Sequence, residues 1–345
     1  MSSLGEDLLI KILWKLPLES LLRFKLVSKA WNSWISHILS STSGLIFEEV
    51  YIDEKKLPQS LLEDERERNI LVDVCDGLLL FERRKEITYR WTYSVWNPIT
   101  NQWFQLPQRI SDVEHGVVGL GFDPVLSPHF QAAHFYKDSY VDGSGCTLEL
   151  FSSQTGSWRD FKIERHDTGN CFRCRLVIVG RAVFVQFKWS KCPILKFDMD
   201  EESFKDIELP GPEEKYLPMS TLGKCEGRLH LAWMTGYACK IWKLEDAEQE
   251  SRWVLLHTCS YYFLKNQACN NQTNRGVVIF LRGFLPDSKV VLLDVNHRVG
   301  QRKNQLETFS YDFRTRELVK IYISNAAWHN VFAFSPCTRY ITMGP

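Results

Sequence analysis

The chain has 345 residues with 42 basic and 42 acidic side chains, so its formal net charge is zero. This balance lacks the basic surplus that binding to phosphate backbones requires, which excludes a general nucleic-acid-binding role. Hydrophobic residues make up 44% of the sequence and aromatic residues 13%, enough apolar material for a large core, which excludes a disordered chain.

The cellular setting is predicted from the N-terminus and the cysteines. The N-terminus MSSLGEDLLIKILWK has acids and lysines among its apolar residues and does not resemble a secretory signal. No apolar run approaches the ~18 residues of a membrane-spanning helix. The 10 cysteines are scattered along the chain, and we expect them to be reduced and mostly buried. We therefore expect a protein of the cytoplasm, the nucleus or both that does not bind membranes.

The first predicted elements are three short helices in residues 1–40. Apolar residues recur at helical spacing from Leu8 to Leu16, Pro17 interrupts the pattern, and Ser28 is placed to cap the third helix. Three helices in so short a segment bury too little surface to be stable alone. Part of their apolar surface must therefore pack against the rest of the chain or a partner.

Residues 4–36, LGEDLLIKILWKLPLESLLRFKLVSKAWNSWIS, resemble the F-box, the helical module that docks substrate receptors on the Skp-family adaptor of cullin ubiquitin ligases. Gly5 stands where the family has proline, which leaves the entry of the first helix less constrained. For any one apolar residue, packing inside the module is the alternative to contact with the adaptor. The resemblance implies adaptor-binding residues at Leu4, Leu8, Ile12, Leu13, Leu16, Pro17, Leu21, Val27 and Trp31.

Residues 41–69 are predicted to be a linker. The run LLEDERERN at 61–69 mixes charges of both signs, which is typical of a solvated connection and not of a binding tail.

From residue 70 to residue 345 the pattern changes to short apolar strands separated by Gly, Pro, Asn and Asp. A unit of strand, polar turn, aromatic residue and strand recurs, with equivalent positions at Trp103, Trp158, Phe204, Trp253 and Leu318. The number of residues between successive equivalent positions is typical of a β-propeller blade. At about 46 residues per blade, this region predicts about six blades. We expect the sixth blade to be completed by residues 330–336 pairing near residues 75–81.

The tryptophans of this region are predicted to pack one blade against the next. The alternative is that they form a platform on which sugars or bases stack. They are Trp96, Trp103, Trp158, Trp233 and Trp253.

The motifs CDGLLLF (75–81), VWNPITNQWFQLP (95–107), LGFDP (120–124) and FDMDEESFKDIELP (197–210) resemble the kelch-like F-box-associated region of plant F-box proteins. The glycines and aromatic spacing of a standard kelch blade are incomplete, so the repeats are degenerate. The predicted fold is an α+β multidomain arrangement, with a small three-helix F-box at 1–40, a linker at 41–69 and an all-β propeller-like domain of about six blades at 70–345.

A search for catalytic or metal-binding motifs yields little. Cys171 and Cys174 form a lone CxxC without the second pair that a zinc site needs. There is no HExxH and no GxSxG motif. We therefore expect no metal, no cofactor and no catalytic residues.

The sequence favours a non-enzymatic substrate-recognition subunit of an SCF-type E3 ubiquitin ligase. The F-box would bind a Skp-family adaptor and, through it, a cullin, and the propeller would bind a target protein; no nucleic acid is expected as a partner. One alternative is a carbohydrate-binding or sugar-processing propeller that uses carboxylates such as Asp73, Asp76, Asp123 and Asp198. Another is an F-box scaffold that acts outside ubiquitination.

Overall fold

The computed structural model describes most of the strand-rich region and part of the N-terminal segment. The described residues are 9, 12–13, 24, 27–31, 33–35, 44–47, 69–84, 91–111, 113, 116–138, 145–164, 174–187, 192–210, 219–246, 251–269, 277–285, 289–297, 305–324, 331–334 and 341–343.

Five four-stranded antiparallel sheets form the body of the described chain, and each is a meander of consecutive strands. Blade 1 contains β2 (Asn69–Cys75), β3 (Leu78–Arg84), β4 (Trp91–Asn97) and β5 (Gln102–Gln105). Blade 2 contains β6 (Val117–Gly121), β7 (Gln131–Lys137), β8 (Cys146–Ser152) and β9 (Ser157–Ile163). Blade 3 contains β10 (Cys174–Val179), β11 (Ala182–Phe187), β12 (Ile194–Asp198) and β13 (Ser203–Ile207). Blade 4 contains β14 (Met219–Cys225), β15 (Arg228–Met234), β16 (Ala238–Asp246) and β17 (Ser251–Ser260), followed by helix α1 (Tyr261–Ala268). Blade 5 contains β18 (Val277–Phe284), β19 (Val290–His297), β20 (Gln305–Asp312) and β21 (Glu317–Ser324).

The first strands of the five blades contact one another in sequence, which places them around a common axis as in a β-propeller. A two-stranded sheet of β1 (Gly44–Phe47) and β22 (Val331–Phe334) completes the described strands, and β22 contacts both β18 and β2. This sheet therefore lies between blade 5 and blade 1 and joins the two ends of the chain.

The prediction of about six blades is wrong: the described residues form five four-stranded blades. Residues 331–334 do lie near blade 1, as expected, but their hydrogen-bonded partner is β1, within the segment that the sequence assigns to a linker. The sequence could not reveal this pairing because a four-residue apolar run is a weak strand signal and its partner lies at the opposite end of the chain.

The prediction of a three-helix N-terminal module is not reproduced in the described residues. Helical conformation is present at residues 9, 12–13, 24, 29–31 and 33–35, which are separated by residues outside the described set. The cap at Ser28 is confirmed, since its Oγ accepts a hydrogen bond of 3.2 Å from the Trp31 amide. Phe24 contacts Trp31 edge to face, with 5.5 Å between ring centroids.

The recurring polar turn has a clear structural cause. Where the third strand of a blade ends, an Asn or Asp side chain accepts hydrogen bonds from the two amides that follow by two and three residues, at Asn97, Asp198 and Asp312. Four residues after each of these, the chain adopts positive φ, at Asn101, Glu202 and Arg316. The same tight turn thus joins the third and fourth strands of blades 1, 3 and 5.

The aromatic position of the repeat is also confirmed. Trp103, Trp158, Phe204, Trp253 and Leu318 occupy equivalent positions on the fourth strands, opposite Trp96, Phe151, Phe197, Leu244 and Tyr311 of the third strands. The indoles of Trp158 and Trp253 donate hydrogen bonds of 2.8 Å to the carbonyls of Pro107 and Glu208, in the segments that lead into their own blades.

The prediction that the tryptophans pack blades together is confirmed for three of the five. Trp158 lies in a cluster shared by blades 1 and 2, and Trp233 and Trp253 lie against one shared by blades 3 and 4. Trp96 and Trp103 instead pack against residues of blade 1 itself.

Two glycines allow the first strands of neighbouring blades to approach closely. A Cβ on Gly121 would lie 2.4 Å from Cγ2 of Ile178 in blade 3, and one on Gly223 would lie 2.7 Å from Cδ2 of Phe284 in blade 5. Any larger side chain must therefore push the blades apart.

We expect Gly121→Val to lower the free energy of unfolding by about 1–3 kcal/mol, because overpacking forces neighbouring side chains and backbone to shift. Urea unfolding followed by tryptophan fluorescence measures this. Gly236→Val is the matched control, since a Cβ at Gly236 would meet nothing within 4 Å. Equal losses in the two variants would contradict the close-approach explanation.

Candidate docking face and central channel

The described part of the N-terminal module separates exposed from buried apolar residues. Ile12 is 50% exposed and Val27 is 60% exposed, whereas Leu13 is 1% exposed. Trp31 is partly buried. We call Ile12 and Val27 the docking face.

These exposures sort the predicted adaptor-binding residues. Leu13 fills the interior and has no surface to offer a partner, so adaptor contact stays a prediction for Ile12, Val27 and the exposed part of Trp31. The remaining predicted residues, Leu4, Leu8, Leu16, Pro17 and Leu21, lie outside the described residues.

The propeller has two unlike faces because the connections of a meander alternate between opposite ends of its strands. On one face, which we call the turn face, the first strand of each blade joins the second and the third joins the fourth. These connections are mostly turns of two or four residues, such as Asp76–Gly77 and 98–101. On the other, the link face, the second strand joins the third and each blade joins the next. There the strand ends are mostly farther apart in sequence, as between Lys137 and Cys146 or between Ile163 and Cys174.

Exposed aromatic residues lie on the link face at blade 4. Tyr237, between β15 and β16, is 80% exposed, and Tyr262 of α1 is 59% exposed. The two segments are joined by a hydrogen bond of 2.9 Å from the Tyr261 amide to the Tyr237 carbonyl. Sequence reasoning missed α1 because its aromatic residues directly follow an apolar strand and extend the strand pattern.

A small cavity of about 80 Å³ lies where the first strands converge, and we call it the central channel. Charged side chains from four residues line it, namely Asp73 and Asp76 of blade 1, Arg175 of blade 3 and Lys224 of blade 4. These residues are far apart in sequence, and the circular arrangement of blades brings them together.

An ion pair between Lys224 and Asp76 lines the channel near the turn face. Nζ of Lys224 donates to Oδ2 of Asp76 at 2.5 Å and to the carbonyl of Phe122 at 3.3 Å, which links blades 4, 1 and 2. Burial is the main influence on the pKa of Lys224, but the nearby Cys75 and Asp76 outweigh it and raise the pKa. The lysine therefore stays charged. Burial, with the neighbouring Asp76, also raises the pKa of the Cys75 thiol, which keeps it protonated.

A second polar cluster lies between blades 1 and 2 and is fully enclosed. Arg109, His134 and Glu149 are 6%, 1% and 0% exposed. Nη1 of Arg109 lies 2.5 Å from Nδ1 of His134 and 3.4 Å from Oε2 of Glu149, and Oε1 of Glu149 accepts a hydrogen bond of 2.7 Å from the Ser111 amide. The guanidinium also lies over the Tyr93 ring, with Cζ 5.4 Å from the centroid. This cluster anchors the segment that connects blade 1 to blade 2.

Burial lowers the pKa of His134 from 6.5 to about 4, and the Arg109 charge acts in the same direction, while Glu149 opposes it. Because Nδ1 of His134 accepts a hydrogen bond from Nη1 of Arg109, protonation of this nitrogen would break that hydrogen bond. The folded protein therefore holds a neutral imidazole at neutral pH.

This histidine should make folding sensitive to mild acid. Its folded pKa lies below its unfolded pKa, so between about pH 6.5 and pH 4 the unfolded chain binds more protons and stability falls as the pH falls. Between pH 7 and pH 5 we expect His134 to account for about 2 kcal/mol of lost stability. Urea unfolding at both pH values measures the loss, and His134→Gln should show a smaller one. Asp73, whose pKa is raised to about 6, acts in the opposite direction, but it does so in both proteins and does not affect the comparison. An identical pH dependence of stability in the variant and the unchanged chain would therefore contradict the assignment to His134.

The carboxylates that could have supported sugar chemistry have structural partners. Asp123 accepts hydrogen bonds from the Val125 and Leu126 amides and Asp198 from two turn amides, while Asp76 pairs with Lys224. Asp73 accepts hydrogen bonds from two backbone amides.

The described residues contain no group of three or more His, Cys, Asp or Glu side chains placed to bind a metal ion. Cys174 of the CxxC motif is a free thiol, and Cys171 lies outside the described residues. Within the same described set, no helix has the length and apolar character needed to cross a bilayer.

These features define a class of protein with two modules, an N-terminal segment that carries exposed apolar residues and a β-propeller with a charged channel. Comparison with known families agrees with this class. Residues 1–40 match the F-box domain, and residues 26–342 match the F-box associated beta propeller domain. The chain belongs to the F-box associated beta propeller family.

The curated relatives are F-box proteins of Arabidopsis thaliana. The chain is 27% identical to "Putative F-box protein At3g10430" over 227 residues, which cover 60% of this chain and 61% of the relative. It is 25% identical to "Putative F-box/kelch-repeat protein At1g15680" over 307 residues, which cover 73% and 71%. With "F-box protein At5g18160" it shares 28% identity over 276 residues, which cover 71% and 68%. The chain spans about three fifths of the length of the first of these relatives.

Proposed function

We propose that this protein is the substrate-recognition subunit of an SCF-type E3 ubiquitin ligase. In this role the F-box binds a Skp-family adaptor and, through it, a cullin, while the propeller binds a target protein. The observation that carries the proposal is the match of residues 1–40 to the F-box, within which the exposed side chains of Ile12 and Val27 are accessible to a protein partner.

The link face is the proposed target-binding surface. Its longer connections and the exposed Tyr237 and Tyr262 provide the loop-borne aromatic contacts that protein interfaces use. A standard interface takes about 800 Å² from each partner, which the face of a five-bladed domain can supply.

The proposed contribution of the chain to ubiquitin transfer is proximity and not bond chemistry. Holding a target lysine near the charged ubiquitin-conjugating enzyme raises its effective concentration. We propose action in the cytoplasm or the nucleus, in keeping with the free thiols of the described cysteines.

Ubiquitination of a captured partner tests this function. Proteins that co-purify with the full chain are incubated with adaptor, cullin, ubiquitin-activating and ubiquitin-conjugating enzymes. We expect a captured target to gain ubiquitin with the unchanged chain and not with the Ile12→Asp/Val27→Asp variant. Stable capture of both adaptor and target without ubiquitin transfer would favour a scaffold outside ubiquitination and would overturn the proposal.

A further inference from the structure

Arg175 is unusual among the buried charges of the propeller. Its guanidinium lines the central channel and retains part of its surface open to the cavity, but it makes no hydrogen bond to any described residue. By contrast, the other channel-lining cation, Lys224, has two acceptors. The guanidinium therefore has N–H donors that no described residue uses, and they face a small cavity that a small acceptor can reach.

The surrounding chain leaves room for the guanidinium at the axis. Nη2 of Arg175, from blade 3, lies 3.5 Å from where a Cβ on Gly283 of blade 5 would be, so the guanidinium reaches the first strand of blade 5. A β-bulge in β18 at Arg282 places a second guanidinium nearby, and its charge lowers the pKa of Arg175 after the larger effect of burial.

Asp73 is the opposing charge that acts on Arg175, but it is poorly suited to neutralise it. Its carboxylate oxygens accept hydrogen bonds from the Val74 amide at 2.9 Å and the Leu120 amide at 2.7 Å. Even so, burial raises its pKa from 3.8 to about 6, against the effect of both amides and of Arg175. Once Asp73 takes up a proton, the Arg175 charge has no counter-charge.

The other charged groups facing Asp73 are already paired. Lys224 pairs with Asp76, and Nε of Arg282 donates to Oδ2 of Asp294, whose other oxygen accepts a hydrogen bond of 2.7 Å from Thr308. The Cys75 thiol is protonated. Protonation of Asp73 therefore leaves the channel with one uncompensated positive charge.

We propose that the central channel is a binding site for a single carboxylate group, held by the guanidinium of Arg175 in the cavity beside Asp73. The size of the cavity, about 80 Å³, suits one small anionic group and not a whole ligand. The carboxylate has two possible sources, a free small acid or an acidic side chain of a bound polypeptide. This inference does not depend on adaptor binding.

The full-length chain is titrated with sodium acetate by calorimetry at about pH 5.5 and about pH 7.5, at constant ionic strength. With a pKa near 6, the protonated fraction of Asp73 falls between these pH values by roughly 20-fold, so acetate should bind roughly 20-fold more tightly at the lower pH. Asp73→Asn carries no carboxylate to protonate, so it should bind acetate tightly at both pH values. Arg175→Gln should lose binding at both.

Arg181→Gln is the matched control, since Arg181 is an exposed arginine paired with Asp200 outside the channel, and its loss should leave acetate binding unchanged. Should Arg175→Gln fail to fold, the Asp73→Asn variant decides: tight binding at about pH 7.5 supports the proposal, and none overturns it. Equal binding of acetate by Arg175→Gln and the unchanged chain, or equal heats from chloride, would also overturn it.

A blocked Gly-Asp-Gly peptide, titrated in the same way, separates the two sources. Tighter binding of the peptide than of acetate indicates an acidic side chain as the natural occupant, and tighter binding of acetate indicates a free acid. In either case the ligand must lose affinity in Arg175→Gln.

Discussion

Replacing Ile12 and Val27 together with aspartate is expected to abolish co-purification of a Skp-family adaptor. Both side chains are at least half exposed, so the substitutions remove apolar surface without opening a cavity in the module. Within an interface, each aspartate would be buried without a partner, at a cost of about 2 kcal/mol or more per site. Two such sites weaken binding by roughly a thousandfold or more, which is enough to prevent capture.

Co-expression with the adaptor, followed by size-exclusion chromatography, measures the loss of a stoichiometric complex. Val125→Asp is the matched control, because Val125 is 77% exposed but lies on the propeller, between β6 and β7. This variant should keep the adaptor. Retention of the adaptor by the Ile12→Asp/Val27→Asp chain would remove the docking face from the proposed mechanism.

Glu149→Ala is expected to destabilise the propeller strongly. Glu149 is fully buried and accepts hydrogen bonds from Arg109 and from the Ser111 amide. Its removal leaves the buried Arg109 charge without the carboxylate that pairs with it, which costs about 3–5 kcal/mol. This is a large fraction of the stability of a typical domain.

Urea unfolding followed by tryptophan fluorescence measures the effect of Glu149→Ala. The matched control is Glu202→Ala, which breaks a bidentate ion pair on the surface. In this pair the two Arg159 nitrogens lie 2.6 and 2.7 Å from the two Glu202 carboxylate oxygens. Solvent screens this exposed pair, so we expect no measurable loss of stability. A similar loss in both variants would show that burial does not set the importance of the Glu149 cluster.

Much of the architecture is predictable from local patterns in the sequence. Period-2 apolar runs predict the strands, and a polar segment with Asn or Asp at its start, as at Asn97 and Asp312, marks the turn between third and fourth strands. The aromatic repeat at Trp103, Trp158 and Trp253 indicates blades because each repeat is one structural unit with an apolar residue at the same position of its fourth strand. These signals are short-range, so they can be recognised in one chain.

The number of blades and the composition of the channel follow instead from long-range packing. β1 pairs with β22 only because the ring brings the two ends of the chain together, and no local pattern encodes that closure. Asp73, Arg175 and Lys224 become neighbours for the same reason. In the N-terminal module, the adjacent residues Ile12 and Leu13 belong to one apolar stripe in the sequence. Packing nevertheless leaves Ile12 half exposed and buries Leu13. Side-chain periodicity predicts which residues are apolar on one side of a helix, whereas burial depends on what that side meets in three dimensions.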